Sequence, residues 1–300
     1  MRPGARTVRV PVTEELHPDG PALGGLPTLE LLAELHRGDA EAARSVGRAL
    51  PALASLVEMA VAAFSRGGRI AYAGAGTSGR LCALDAAECP PTFGVSSSRV
   101  IALVAGGAAS LHRAIEGAED DARAGREAVR RAGLGQGDLV IGVSASGRTR
   151  FVLAALREAR ARGGKTALMT SNPVARPAVD HRVVLDTGPE RIAGSTRMKA
   201  GTAAKMALGL FSTATFVRLG AVRGGLMAAL RGSSAKLRAR ALRIVATLAG
   251  VGPAAARRLL EGAKWDVALA LSAAEGPPVA FKPRKARPGG RSRQRGDGHG

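Results

Sequence analysis

Residues Tyr72–Gly94 read YAGAGTSGRLCALDAAECPPTFG. An apolar run enters a turn with glycines at 74, 76 and 79 and hydroxyls at Thr77 and Ser78. A stretch with helical spacing follows and closes on an acid, Glu88, ahead of Pro90 and Pro91. Glycine lets backbone approach a ligand closely. The first amides of a helix lack partners, and its dipole favours an anion there. The segment therefore reads as strand, phosphate-type loop and helix.

The same pattern recurs along the chain. RIAYAGAG (69–76), RVIALVAGG (99–107), DLVIGVSASG (138–147), KTALMTSN (165–172) and HRVVLDTG (181–188) are short apolar runs, each leading into Gly, Ser, Thr or Asn. Helical stretches are expected between most of them, at 110–132 and 149–162. Apolar runs with little alternation, each followed by a helix, indicate a parallel sheet covered on both faces. The fold class is α/β: a doubly wound, parallel, five-stranded sheet over residues 67–190, an αβα sandwich with helical N- and C-terminal additions. In such sheets ligands sit at the carboxyl ends of the strands, where the Gly/Ser loops fall.

The flanks divide as follows. Residues 1–27 read as an irregular segment, 28–250 as the main domain with its flanking helices, 251–275 as a small helical region packed on Trp265, and 276–300 as a disordered basic tail. Thr28 is the expected N-cap of a first helix. A second follows Asp39, and Pro51 opens a third, with Leu53, Leu56, Val57, Ala60, Val61 and Phe64 on one face. After Thr196 the chain reads as helical to about Val251.

Composition narrows the function. Hydrophobic content is 46% and mean hydropathy is near zero, so the 300-residue chain is globular. Aromatic residues are only 3%, too few to build a base-stacking platform, so nucleic acid is not the expected partner. The net charge is +20, of which the last twenty residues carry about +6 as a solvated tail. Cys82 and Cys89 lie in or beside one helix and read as reduced thiols. The histidines have no metal-type spacing, and no metal or cofactor is expected. No run of eighteen apolar residues and no leader is apparent, so a soluble, cytoplasmic protein is expected.

Two loops share the phosphate-type design: GAGTSGR (74–80) and SASGRT (144–149). Neither is a Walker sequence, because no Lys follows the last glycine. No acid closes the run Val100–Val104, where a dinucleotide fold would place one. One alternative is a pair of well-capped helices; two such loops in neighbouring strands favour a phosphorylated small ligand.

GAGTSGRL (74–81), DAAECPPTFG (85–94), AIEGAEDD (114–121), SASGRT and GPERIAGSTRMKAGTAAKM (188–206) together resemble the N-acetylmuramic acid 6-phosphate etherases, a family of sugar-isomerase (SIS) domain proteins. The resemblance runs from about Thr28 to Val251. It implies elimination of the lactyl ether from an opened sugar, which needs a base at C2 and an acid at the departing oxygen. It puts Glu88 as the acid and Glu119 as the base. It assigns the phosphate and sugar to Gly76, Thr77, Ser78, Ser144, Ser146, Gly147, Thr149, Ser195, Thr196 and Lys199. Ser195 and Thr196 are expected at the cap of a helix, with Lys199 adding charge or facing solvent. His112 is expected two turns before Glu119 on the same helix.

A helix over 78–88 would carry Glu88 about 15 Å from its phosphate end at about 1.5 Å per residue, roughly twice the span from phosphorus to C3. Either the helix breaks early or Glu88 serves a site completed by a second subunit, and a homodimer with an interfacial site is expected. Some positions depart from the family pattern: His17 replaces Asn in T-E-E-L-H-P, Gly225 and Ala229 replace Asn and Asp in G-G-L-M-A-A, and Arg150 replaces Pro after SASGRT. A sugar-phosphate-binding regulator and a sugar-phosphate isomerase of the same fold remain alternatives.

Overall fold

The computed structural model describes residues 10–275. The tail expected at 276–300 and the first nine residues of the N-terminal segment lie outside the described residues. Residues 10–27 carry two short 3-10 turns, Val12–Glu14 and Gly20–Gly25, ahead of the first helix.

That helix, α1 (Thr28–Ser65), is one element of 38 residues, where three were expected. Its N-cap is Pro27, not Thr28. Pro51 lies inside it. A proline there removes a hydrogen bond and costs about 3 kcal/mol or more. What carries the helix through is an unbroken buried stripe of Ala42, Val46, Ala49, Leu53, Leu56, Ala60 and Ala63. By length and mean hydropathy α1 would also suffice to cross a membrane, although Arg44, Arg48 and Glu58 interrupt it and it holds no run of eighteen apolar residues. Here that stripe packs into the main core.

Five parallel strands follow: β1 (Ile70–Gly74), β2 (Val100–Val104), β3 (Leu139–Val143), β4 (Lys165–Thr170) and β5 (His181–Val184), in the order β2-β1-β3-β4-β5. Each coincides with one of the five apolar runs. Alternate residues face opposite layers. Ile70, Tyr72, Leu139 and Ile141 join α1, α2 (Gly76–Phe93) and α5 (Lys199–Arg218) in one core. Ala71, Ala73, Val140 and Leu168 join α3 (Ala122–Arg131) and α4 (Arg150–Ala161) in the other. Stacked Phe93 and Phe216, with centroids 4.7 Å apart, tie α2 to α5.

The continuous helix expected at 110–132 is absent. Left-handed glycines at 106, 107 and 117 divide this segment into 3-10 turns, Gly107–Leu111 and Ala118–Asp120. The helix α3 begins only at Ala122, where the Asp121 carboxylate accepts from the Ala124 amide at 2.8 Å. Glu119 therefore sits on a turn, and His112 does not share a helix with it.

After α5 the chain is not continuously helical. A hairpin of β6 (Val222–Arg223) and β7 (Leu226–Met227) intervenes. The helices α6 (Ala235–Ala249), α7 (Pro253–Gly262) and α8 (Val267–Glu275) then bury one shared cluster around Leu230, Val245, Leu260 and Leu271. Trp265 packs against that cluster, and α6, on the main-domain side of residue 251, belongs to the same packing unit.

Candidate active site

Strand order reverses between β1 and β3. From β1 the chain crosses through α2 to β2 on one side, whereas β3 and its successors extend on the other. The helix α2 packs on the α1/α5 face and α4 on the α3 face, so the two connections part and leave a crevice at the strands' carboxyl ends. Gly74 pairs with Val143 in register, which starts the two Gly/Ser loops side by side at that crevice.

The first loop is shaped by close approach. A Cβ on Gly74 would lie 2.8 Å from Gly79 Cα, and one on Gly79 would lie 2.7 Å from a Val104 methyl. Strand and helix thus meet closely. Gly76 takes φ +53° as the first residue of α2. The Gly79 amide bonds to Ala75 O at 3.0 Å, so the amides of Gly76, Thr77 and Ser78 precede the helical ladder and point to the crevice end.

The second loop is held from inside. Ser144 Oγ and Thr149 Oγ1 are 2.8 Å apart, and Ser144 Oγ accepts from the Gly147 amide at 3.1 Å. Ser146 Oγ accepts from the Arg148 amide at 3.2 Å. Gly147 has φ +67°, and a Cβ there would lie 2.5 Å from the Ala175 methyl. The Leu153 amide bonds to Thr149 O, so the amides of Arg150, Phe151 and Val152 are again the free first turn of a helix. The T-S-N that ends β4 buttresses this loop: Thr170 Oγ1 donates to Ala145 O at 3.0 Å, and Asn172 Nδ2 donates to Ser146 O at 2.9 Å. Sequence reasoning missed Thr170 and Asn172, although their place at a strand's carboxyl end is the same signal that marked the other loops. Arg150, where the family pattern has Pro, is an exposed first residue of α4.

The third segment differs from its expected role. Met198, not Ser195 or Thr196, is the N-cap of α5. The helix start is already filled by an anion from the chain itself. Fully buried Glu190 accepts from the amides of Lys199 and Ala200, each at 2.9 Å. Burial raises the Glu190 pKa, opposed by those two amides. Lys199 neither faces solvent nor stands open to a ligand. It is 3% exposed, with its ammonium on the Glu41 carboxylate and on Pro189 O at 3.0 Å. Of this segment, Thr196 stays near the crevice: a Cβ on Gly201 would lie 3.2 Å from Thr196 O and 3.4 Å from the Thr77 methyl. Ser195 lies one residue earlier on the same turn, its amide bonded to Ile192 O at 2.9 Å.

Arg191, beside Glu190, anchors the N-terminal segment. It pairs with Glu41 at 2.8 Å, Glu34 at 3.0 Å and Asp19 at 3.4 Å, and meets His17 Nδ1 at 3.0 Å. Burial, then Arg191 and Lys199, lower the His17 pKa. Two other departures from the family pattern are conformational. Gly225 (φ +77°) is the second turn residue of the β6–β7 hairpin, a place Asn and Gly both accept. The Ala229 carbonyl packs against Gly94, where a Cβ would approach within 1.8 Å.

The two acids line different cavities. Glu119 shares a cavity of about 190 Å³ with Gly76, Arg80 and Ser110, at the mouth of β1. Arg80 Nε donates to Ser110 O at 3.0 Å and fixes one wall. Glu88 instead lines a groove of about 350 Å³ between α2 and α5, with Asp85, Lys205, Leu208 and Thr213. The helix α2 does not break before Glu88 but runs on through Pro90 and Pro91 to Phe93. One chain therefore presents its two glutamates to two separate spaces. Asp85, one turn before Glu88, was missed. It accepts from Tyr72 Oη at 2.7 Å and Ser212 Oγ at 2.9 Å, and burial raises its pKa. Both cysteines are buried free thiols; burial pushes Cys89 up to about 12 and Cys82 higher still. Among the described residues no group of three or more His, Cys, Asp or Glu is placed to hold a metal.

Residues 52–160 match the glucokinase regulatory protein N-terminal SIS domain, and residues 124–214 match the SIS domain. The chain is 43% identical over 262 residues to an N-acetylmuramic acid 6-phosphate etherase of Cronobacter sakazakii, covering 87% of this chain and 88% of that protein. It is 44% identical to one of Geobacillus thermodenitrificans, covering 86% and 88%. A solved phosphoheptose isomerase from Francisella tularensis superposes with a TM-score of 0.46 at 16% identity, covering 63% of this chain and 98% of that chain.

Proposed function

The chain belongs to the N-acetylmuramic acid 6-phosphate etherase family, and from that premise we propose that it is a carbon–oxygen lyase acting on that sugar phosphate. It cleaves the D-lactyl ether of N-acetylmuramic acid 6-phosphate and yields N-acetylglucosamine 6-phosphate and D-lactate. The observation that carries this reading is identity above 40% to etherases over most of both chains, together with a base candidate, Glu119, in one cavity with the β1 loop. The same identity favours an etherase over a non-catalytic regulator or an isomerase.

In the opened sugar the C1 aldehyde makes the C2 hydrogen acidic. The Glu119 carboxylate takes that proton. The C3–O bond then breaks, and the lactate oxygen receives a proton from Glu88. Water adds to C3 of the resulting alkene and restores the amino sugar. The phosphoryl group lies against the first-turn amides of α2 and α4, with the hydroxyls of Thr77, Ser78, Ser144, Ser146 and Thr149. Gly76 and Gly147 allow the approach. Ser195 and Thr196, on the turn beside Thr77, face the sugar. Lys199 acts indirectly, by holding the α5 start to α1.

Glu88 reaches the ether from a second copy of the chain. Its place in the α2/α5 groove, apart from the Glu119 cavity, supports a homodimer whose active site forms between subunits. The reaction belongs to cell-wall amino-sugar recycling in the cytoplasm, a setting that suits two buried, reduced thiols.

Glu88→Gln tests the division of labour. The variant should fold, exchange the C2 hydrogen of the substrate with solvent deuterium, and release almost no D-lactate. Loss of exchange together with lactate release would remove Glu88 from its role as the acid.

A further inference from the structure

We propose that Lys205 recognises the carboxylate of the departing lactyl group and so makes the enzyme selective for an acidic ether substituent. The inference rests on the etherase reading and on Glu88 as the acid, and it names what lies beside that acid.

Lys205, Leu208, Gly209 and Ser212 follow one another at helical spacing on α5 and line the groove opposite Glu88 of α2. Gly209 sends no side chain into this space, and a Cβ there would meet nothing within 4 Å. Among the described residues lining the groove, Lys205 is the only lysine or arginine. Its side chain is exposed, and among the described residues it has no hydrogen bond or salt bridge; it acts on Asp85 only through space. Asp85 does not need it as a partner, because Tyr72 and Ser212 already donate to both carboxylate oxygens.

The substrate supplies the matching charge. In a lactyl ether the carboxylate carbon is two bonds from the ether oxygen, so its oxygens lie about 3–4 Å from the atom that Glu88 protonates. A carboxylate brought into a groove that already holds Glu88 and Asp85 meets like charge unless a cation is present. A lysine ammonium on a flexible stem meets that need. Leu84 and Leu208 on the same walls suit the lactyl methyl group. An isomerase substrate, with a free hydroxyl at C3, would leave Lys205 unpaired.

The test compares N-acetylmuramic acid 6-phosphate with its lactyl carboxamide. Wild-type kcat/KM should be about ten- to hundredfold lower for the amide, the range for losing a hydrogen bond to a charged group. Lys205→Met should lose the same factor on the acid, mainly in KM, and treat the two substrates alike; Lys205→Arg should restore part of the preference. Equal wild-type turnover of acid and amide overturns the inference without any variant. So does a Lys205→Met enzyme that keeps the full preference. With the wild type, no lactate from the acid and no lactamide from the amide would overturn the etherase reading itself.

Discussion

Gly147 shows how little freedom the loop after β3 has. Its φ of +67° and the 2.5 Å approach of a Cβ to Ala175 oppose any side chain, although the rest of the loop is bonded internally. Gly147→Ala should lose about 2 kcal/mol of stability or more and most activity, read by thermal unfolding and D-lactate release. Lys264 and Trp265 present the opposite case. Both are non-glycine residues in the left-handed region, at φ 52° and 62°. Trp265 is held there by its amide on Leu260 O at 2.7 Å, by its carbonyl accepting from Gly232, and by Arg238 over its ring at 5.1 Å. Lys264 has no such ring packing, so Lys264→Gly should raise stability by about 0.5–1 kcal/mol in urea unfolding, with activity unchanged.

Among the elements, α1 and α2 both run through prolines. In α2 the missing amides of Pro90 and Pro91 leave two carbonyls without helical donors, yet the helix persists because Cys89 and Phe93 are buried beyond Glu88. The helix is what sets Glu88 far from the loop at its other end. The N-terminal segment is held differently, through charge. His17 contacts Arg191 and Asp19, with Lys199 and Glu41 close by, and its pKa is lowered from 6.5 by burial and by the two cations. A histidine kept neutral in the folded state binds its proton more readily when undocked. Its contribution is present above about pH 6.5 and is lost as pH falls through the lower folded value. Amide exchange over residues 10–20 should quicken as pH drops from 7.5 to 5, after correction for intrinsic rates, and His17→Asn should flatten that dependence.

At the scale of the whole molecule, the decisive fact is that Glu88 and Glu119 face separate spaces in one chain. The proposed dimer unites them, and complementation checks it. Glu88→Gln and Glu119→Gln should each be inactive alone. If Glu88 acts across the interface, subunits mixed after mild dissociation form heterodimers with one intact site, and lactate release should recover to about a quarter of wild type. Mixtures that stay inactive would place both acids in one subunit's site.

The five strands were legible because buried parallel strands are continuous apolar runs, and the loops because Gly, Ser and Thr cluster where a strand turns tightly into a helix. Glu88 and Glu119 stood out through the family strings around them. What failed were readings in which distant residues decide the outcome. Pro51 looked like a helix start and became an interior residue, because the buried stripe of α1 continues across it. Lys199 looked like a ligand for phosphate and became the partner of Glu41, because Glu190 already occupies the α5 start. Asp85 gave no signal at all, since its donors Tyr72 and Ser212 are 13 and 127 residues away. Local preference and hydrophobic period act between near neighbours, so the sequence alone determined the strands, the places of the loops and the family. Charge pairing, helix length and the separation of the two acids depend on which surfaces meet in space, and only the tertiary structure decided them.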